Sequence, residues 1–262
     1  MLKFCSLYSG SSGNSLFVQS NNTKILIDCG QSAKKIETAL TNIDVDISNI
    51  DAILVTHEHS DHIQSLGTIS KKYDIPVFAN FETWEAMPNQ KTKVSSNNIK
   101  IFENDNEFQI GNLQIMPFST PHDAANPCGF SICNSSKKIS IATDLGHIDN
   151  NIFSNIKDSK FMLLEANYEP EILKVSRYPY MLKQRIAGPH GHLSNIEAGQ
   201  TISHLFGKEL KEVMLGHLSK ENNFPEMAYK TVAEELIHNN IDTNDIKISV
   251  ANRFAPSKIV TI

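Results

Sequence analysis

The 262-residue sequence has one tryptophan, four cysteines and no apolar run near the roughly 20 residues needed to cross a bilayer. Its opening, Met1-Leu-Lys-Phe-Cys5, lacks the apolar centre of a secretory leader. A soluble, cytoplasmic chain without membrane attachment is expected. Positive charge is also short: 24 Lys and Arg stand against 29 Asp and Glu, a net charge of −5. This excludes a global field that attracts nucleic acid, so such a partner must be held by a local patch. Only 12 Gly and 10 Pro occur, which excludes a collagen-like or low-complexity chain, and 40% hydrophobic residues argue for a packed core. Cys5, Cys29, Cys128 and Cys133 form no Cys-x-x-Cys pair, and three lie in apolar, strand-like runs. They read as buried thiols of a reduced compartment rather than as disulfides or metal ligands.

Short apolar or alternating runs predict strands at 4–8, 15–19, 24–27, 52–55 and 76–79, with helices at 32–40 and 63–72. Further strands are expected at 100–102, 107–109, 113–117, 129–133, 138–142, 161–165, 212–215 and 247–250. Helices follow at 180–187, 196–206 and 225–239, the second opened by Ser194-Asn-Ile-Glu197, which has the form of a capping box. The order strands, helices, strands, helices suggests an α+β fold, a four-layer αββα sandwich. No Pro- or Gly-rich linker interrupts it, so residues 1–262 read as one domain.

Histidine carries the chemistry. Val55-Thr56-His57-Glu58-His59-Ser60-Asp61-His62 follows an apolar strand and precedes a helical run. In extended chain, His57 and His59 point the same way, and a following helical turn can aim Asp61 and His62 back at the same point. Imidazole and carboxylate groups suit a borderline divalent metal. Four of them in six residues fit two adjacent ions better than one.

His-x-His-x-Asp-His after a strand resembles the signature of the metallo-β-lactamase superfamily. The later motifs agree in order: Leu26-Ile-Asp28-Cys-Gly30, Ser119-Thr-Pro-His122-Asp123, Ala142-Thr-Asp144-Leu-Gly146 and Met214-Leu-Gly-His217. The resemblance implies that His57, His59 and His122 hold one ion, that Asp61, His62 and His217 hold the other, and that Asp144 bridges them. Asp28 would support the ligands by hydrogen bonding. Two divalent ions, zinc or manganese with iron possible in kind, would make hydroxide available near neutral pH, with Asp61 orienting it. A carboxylate at 144, where β-lactam-hydrolysing members often carry Cys, favours paired-metal hydrolases of phosphodiesters, thioesters or lactones.

Two features outside the ligand set bear on substrate. Asp144 and His217 stand 73 positions apart, too few to hold the large inserted domain of RNA-processing members, which argues against that branch. Residues 172–196 contain no acid, yet carry Lys174, Arg177, Lys183, Arg185, His190 and His192 with Tyr178 and Tyr180. Cations with aromatic neighbours suit a nucleic-acid backbone and its bases. A solvated face that merely lacks acids is the plainer reading. The stretch Arg177-Tyr-Pro-Tyr-Met-Leu-Lys-Gln-Arg185 resembles the YycJ/WalJ-type bacterial members, as do Gly191-His-Leu-Ser-Asn195, Ser9-Gly-Ser-Ser-Gly-Asn14 and Gly216-His-Leu-Ser-Lys-Glu-Asn-Asn223. That resemblance implies a metal-dependent 5′→3′ exonuclease on double-stranded DNA, linked to repair. DNA would contact segment 174–192 through Lys183, Arg185, His190 and His192, with His192 also the candidate general acid. The Ser9–Asn14 loop could offer backbone N–H groups to a phosphate, or be a plain tight turn. His147, His204 and His238 fit no ligand position. The alternative function is hydrolysis of a small thioester, lactone or phosphodiester on the same metal site.

Overall fold

The computed structural model describes residues 1–207 and 209–262. The first sheet takes β1 (Leu2–Tyr8), β2 (Ser15–Ser20), β3 (Thr23–Ile27), β4 (Ala52–Leu54), β5 (Val77–Asn80) and β6 (Ile99–Phe102). The second takes β7 (Phe108–Ile110), β8 (Leu113–Ser119), β9 (Cys128–Asn134), β10 (Lys137–Ala142), β11 (Phe161–Glu165), β12 (Glu212–Gly216) and β13 (Lys247–Val250). A last short strand, β14 (Val260–Thr261), returns to pair with β1 at the edge of the first sheet. The orders are β14-β1-β2-β3-β4-β5-β6 and β13-β12-β11-β10-β9-β8-β7. Each sheet is antiparallel in one half and parallel in the other, the change falling at β3 and at β10.

Strands buried on both faces explain the near-continuous apolar runs of the sequence. Ile25, Ile27, Ala52 and Leu54 meet Phe130, Ile132 and Phe161 between the sheets, while the alternate residues Leu26, Ile53 and Val55 face outward. The Phe4 and Phe161 rings, 4.7 Å apart, join the two layers directly. Outside the first sheet lie α1 (Ala33–Thr41), α2 (Ser60–Ile63), α3 (Leu66–Tyr73), α4 (Phe81–Ala86) and α5 (Pro88–Lys91). Ile36, Leu40, Ile69 and Trp84 seal that face. Outside the second lie α6 (Asn150–Ile156), α7 (Pro170–Val175), α8 (Tyr180–Ile186), α9 (Asn195–Leu205) and α10 (Pro225–His238). Here Ile152, Ile202 and Val232 cover Leu164 and Leu215. The fold is the αββα sandwich.

Some local expectations change. The helix expected over 63–72 is two pieces, because Gln64 and Ser65 break the run and Ser65 (φ −112°, ψ 9°) leaves helical geometry. Helices α4 to α7 carry too few turns for a clear apolar period, and caps hold two of them instead: Asn80 accepts from Thr83 N, and Asp149 from Ile152 N. Cys5, Cys29 and Cys128 are buried, but Cys133 is only half-buried, near the outer end of β9.

Candidate metal centre

Open α/β sheets bind ligands beyond the carboxyl ends of their strands. The groups singled out above gather there. Asp28 follows β3, His57 to His62 follow β4, His122 follows β8, Asp144 follows β10 and His217 follows β12. Asp28, Asp144 and His217 adopt left-handed backbone, with φ of 63°, 57° and 53°. Asp and His enter this region more readily than most residues with a side chain, and here it turns these side chains off their strands.

Past β4 the chain leaves the sheet, and His57 Nε2 comes within 3.1 Å of His59 Nδ1. The single turn of α2 then brings Asp61 and His62 back. His62 Nε2 lies 3.7 Å from Asp61 Oδ2 and 3.3 Å from Asp144 Oδ2. His217 Nε2 lies 3.9 Å from Asp61 Oδ2 and 3.4 Å from Asp144 Oδ1. One donor atom from each of His57, His59 and His122 falls within 4.8 Å of the others, and the same holds for Asp61, His62 and His217. Asp144 sits between the triads, its Oδ1 also 3.8 Å from His122 Nε2. The cluster floors a cleft of about 290 Å³ that opens past Ser11, Asp123, Tyr178, Arg185 and His192.

A second tier of contacts fixes these rings. Asp28 Oδ2 accepts from His62 Nδ1 at 2.7 Å and from Thr56 Oγ1 at 2.8 Å, which leaves His62 Nε2 facing the cluster. Sequence reasoning missed Glu165, which is fully buried at the end of β11. Its Oε1 accepts from both His192 Nδ1 (2.8 Å) and His217 Nδ1 (2.9 Å), and its Oε2 from Leu145 N (3.0 Å). The available signal was an acid closing the apolar run Phe161-Met-Leu-Leu. Gly191 O fixes His122 Nδ1 at 3.0 Å. Asn14, also missed as a site residue, places Nδ2 3.0 Å from His62 Nε2, a donor that must yield that atom to any ion.

The Ser9–Asn14 loop braces the site. Its N–H groups at Gly10, Gly13 and Asn14 are already donated to Asn14 Oδ1, Gly10 O and Asp61 O, and Ser9 Oγ accepts from His217 N. Few remain for a phosphate, so the tight-turn reading fits the geometry better. Gly30 packs so closely that a Cβ there would lie 1.6 Å from Asp61 O.

Charge and bonding both fit a divalent cation. Asp144 Oδ2 and His217 Nε2 are buried without a hydrogen-bond partner among the described residues, which is costly unless something positive meets them. Burial pulls the His62 pKa down, but Asp144, Asp28 and Asp61 overcome it and push the ring up to about 9. His217 rises well above its ordinary range by the same opposition, with Asp144 the strongest upward influence. His57 goes the other way, lowered by burial and by the neighbouring imidazoles. These carboxylates draw positive charge into a set of nitrogen and oxygen donors of the kind that binds zinc, manganese or iron.

The acid-free segment divides. His192 joins Asp144, Glu165 and His217 as a further group of mutually close donors. Burial lowers its pKa, yet the adjacent Glu165 charge and hydrogen bond make the net shift upward. Arg185 reaches the cleft mouth, where its Nε donates to Asp123. Lys183 turns away and donates to Lys174 O at 2.8 Å. His190 is exposed and lines no part of the cleft. The turn containing Pro189 packs on Gly146, and Pro189 O accepts from His147 Nδ1 at 3.0 Å.

Residues 23–217 match the family described as the beta-lactamase superfamily domain. The chain is 39% identical over 236 residues to "Exodeoxyribonuclease WalJ" of Streptococcus pneumoniae, covering 89% of this chain and 88% of that one. It belongs to the metallo-β-lactamase superfamily, and within it to the WalJ/YycJ family. "Exodeoxyribonuclease YycJ" of Bacillus anthracis is 36% identical over 90% of this chain and 89% of its own. As a member of this superfamily the chain is a metal-dependent hydrolase. Among solved structures, the metallo-β-lactamase fold protein YhfI of Bacillus subtilis superposes with a TM-score of 0.71 at 17% identity, over 98% of this chain and 100% of its own. Human tRNase Z, short form, gives 0.67 at 14% identity over 99% and 100%. These likenesses show the fold alone. Among the described residues, no helix is long and apolar enough to cross a membrane.

Proposed function

We propose that the chain is a cytoplasmic, divalent-metal-dependent exonuclease that degrades double-stranded DNA from 5′ ends during repair, with the two sheets forming one domain. The observation that carries this reading is the intact donor cluster in a chain that matches two proteins named exodeoxyribonucleases over about nine-tenths of its length. Duplex preference, polarity and repair rest on the family likeness.

His57, His59 and His122 would hold one ion, Asp61, His62 and His217 a second, and Asp144 both. The ions, zinc or manganese with iron as a further candidate, would supply hydroxide near neutral pH and offset charge gathering on the phosphoryl oxygens. Asp61 orients the attacking oxygen. As a new P–O bond forms and the ester P–O bond breaks, the leaving oxygen needs a proton. His192 stands at the cleft with Glu165 behind its Nδ1, so its Nε2 edge is left for that transfer. Arg185 meets a phosphate by exchanging it for Asp123. Lys183 and His190 contact the DNA backbone away from the scissile bond.

The test is linear duplex DNA labelled at the 5′ or 3′ end, incubated with manganese- or zinc-loaded protein. Early release of the 5′ label, lost in Asp61→Ala, is expected. Uncleaved DNA with metal-loaded protein, or undiminished cleavage by Asp61→Ala, would overturn the reading.

A further inference from the structure

Beside the cleft lies a second concavity that the hydrolytic site does not use. It is a groove of about 550 Å³ between α7 and α8, lined by Tyr168, Leu173, Lys174, Tyr178, Tyr180 and Lys183. Tyr178 lines both the groove and the cleft, so the two adjoin across this one side chain. Apart from Tyr168 and Pro170, its lining belongs to the segment without acids from 172 to 196. Its walls are apolar and aromatic, and its rim is cationic. Lys183 Nζ donates to Lys174 O, and Lys174 Nζ stands 3.8 Å from Glu171 on the outer turn of α7, both arrangements open to solvent. Tyr180 lines the groove with most of its surface exposed, and Val175 and Met181 are exposed on the same two helices. Gln184 Nε2 donates to Tyr180 Oη at 2.8 Å and steadies the ring.

We propose that this groove is a stacking subsite for one unpaired nucleobase, that of the nucleotide next to the one whose phosphate enters the cleft. The inference rests on the exonuclease reading. Aromatic faces with flanking cations, and a lining without acids, suit a base and its phosphate. A paired base could not reach the groove, so the duplex end must fray before cleavage. The occupant is a segment of the substrate strand, because the groove adjoins the cleft at Tyr178 and the rim cations match its phosphates.

The test compares an oligonucleotide substrate with the same strand carrying an abasic residue at its second position, using metal-loaded wild type, Tyr180→Ala and Lys174→Ala. Wild type should lose about 10-fold in kcat/KM on the abasic strand, within the range of base–aromatic stacking. Tyr180→Ala should lose a similar factor on the normal strand and show no further abasic penalty. Lys174→Ala should weaken both strands equally. All three should hydrolyse bis(p-nitrophenyl) phosphate alike, which also shows that they fold. A 2-aminopurine at the second position, in a strand protected by phosphorothioate, should be quenched by wild type and much less by Tyr180→Ala. DNA cleaved with no abasic penalty in wild type, or with an undiminished penalty in Tyr180→Ala, overturns the subsite alone. Turnover of the small diester with no DNA cleavage overturns the exonuclease reading, and the subsite falls with it.

Discussion

Replacing Glu165 with glutamine keeps the side chain's shape and removes its charge. The carboxylate is fully buried, and its two oxygens serve different donors: Oε1 the Nδ1 atoms of His192 and His217, Oε2 the backbone N–H of Leu145. An amide cannot satisfy both sides. With its oxygen toward the histidines, its NH₂ faces the Leu145 N–H, donor against donor. Turned over, its NH₂ faces the two imidazoles, and each ring must move its proton to Nε2. For His217 that is the atom aimed at Asp61 and Asp144. The first arrangement leaves a buried donor unsatisfied, at about 1–3 kcal/mol, and weakens two charge-assisted bonds. The second blocks the nitrogen that would face an ion. Losing a carboxylate behind a metal-binding imidazole costs roughly 10- to 100-fold in metal affinity or activity. The assay is titration of chelator-stripped Glu165→Gln with zinc or manganese against a chromogenic chelator, beside a melting curve. Glu226→Gln, a change in the first turn of the outer helix α10, serves as control. Metal affinity within twofold of wild type, with an unchanged melt, would refute the claim that Glu165 orients the rings.

Three further outcomes follow from the same geometry. Chelation should lower the melting temperature and re-addition of the ion restore it, because an ion at 100 times its Kd stabilises the folded state by about 2.7 kcal/mol; an unchanged melt would mean that the cluster binds nothing. Gly30→Ala should destabilise by about 3 kcal/mol or more, since its Cβ would overlap the Asp61 carbonyl oxygen and the backbone must shift; a melt within error of wild type would contradict that packing. A thiol reagent at pH 8 should modify Cys133 before Cys29 or Cys128, because burial raises the pKa of all three thiols but encloses only the last two, leaving Cys133 half-buried; mass spectrometry showing Cys29 or Cys128 labelled before Cys133 would sink this.

How much of this was legible depended on local density. His57, His59, Asp61 and His62 are visible because four donor groups fall within six residues, and no bland role employs them all. The later single residues gain meaning only from their order after that cluster. Glu165 stayed hidden because one acid at the end of an apolar strand looks like a turn residue, and its two histidine partners lie 27 and 52 positions away. The left-handed backbone at Asp28, Asp144 and His217 leaves no mark in composition, since Asp and His also occur in ordinary loops. The long strands and helices were clear from their periodicity. Helices of four to seven residues such as α5 and α6, and the two-residue β14, depend on caps and on pairing with distant chain. The acid-free segment showed its charge but not its division, because direction along a helix face is settled by packing. Arg185 turns to the cleft while Lys183, two positions earlier, turns to the groove.

The central claim is that two divalent ions lie between these side chains. Anomalous diffraction from crystals grown with zinc or manganese tests it most directly. The account predicts two peaks, each at roughly 2.0–2.2 Å from its ligands: one bounded by His57, His59 and His122, the other by Asp61, His62 and His217, with Asp144 touching both. A single peak held instead by Asp144, Glu165, His192 and His217, or no peak in crystals soaked with either ion, would contradict it.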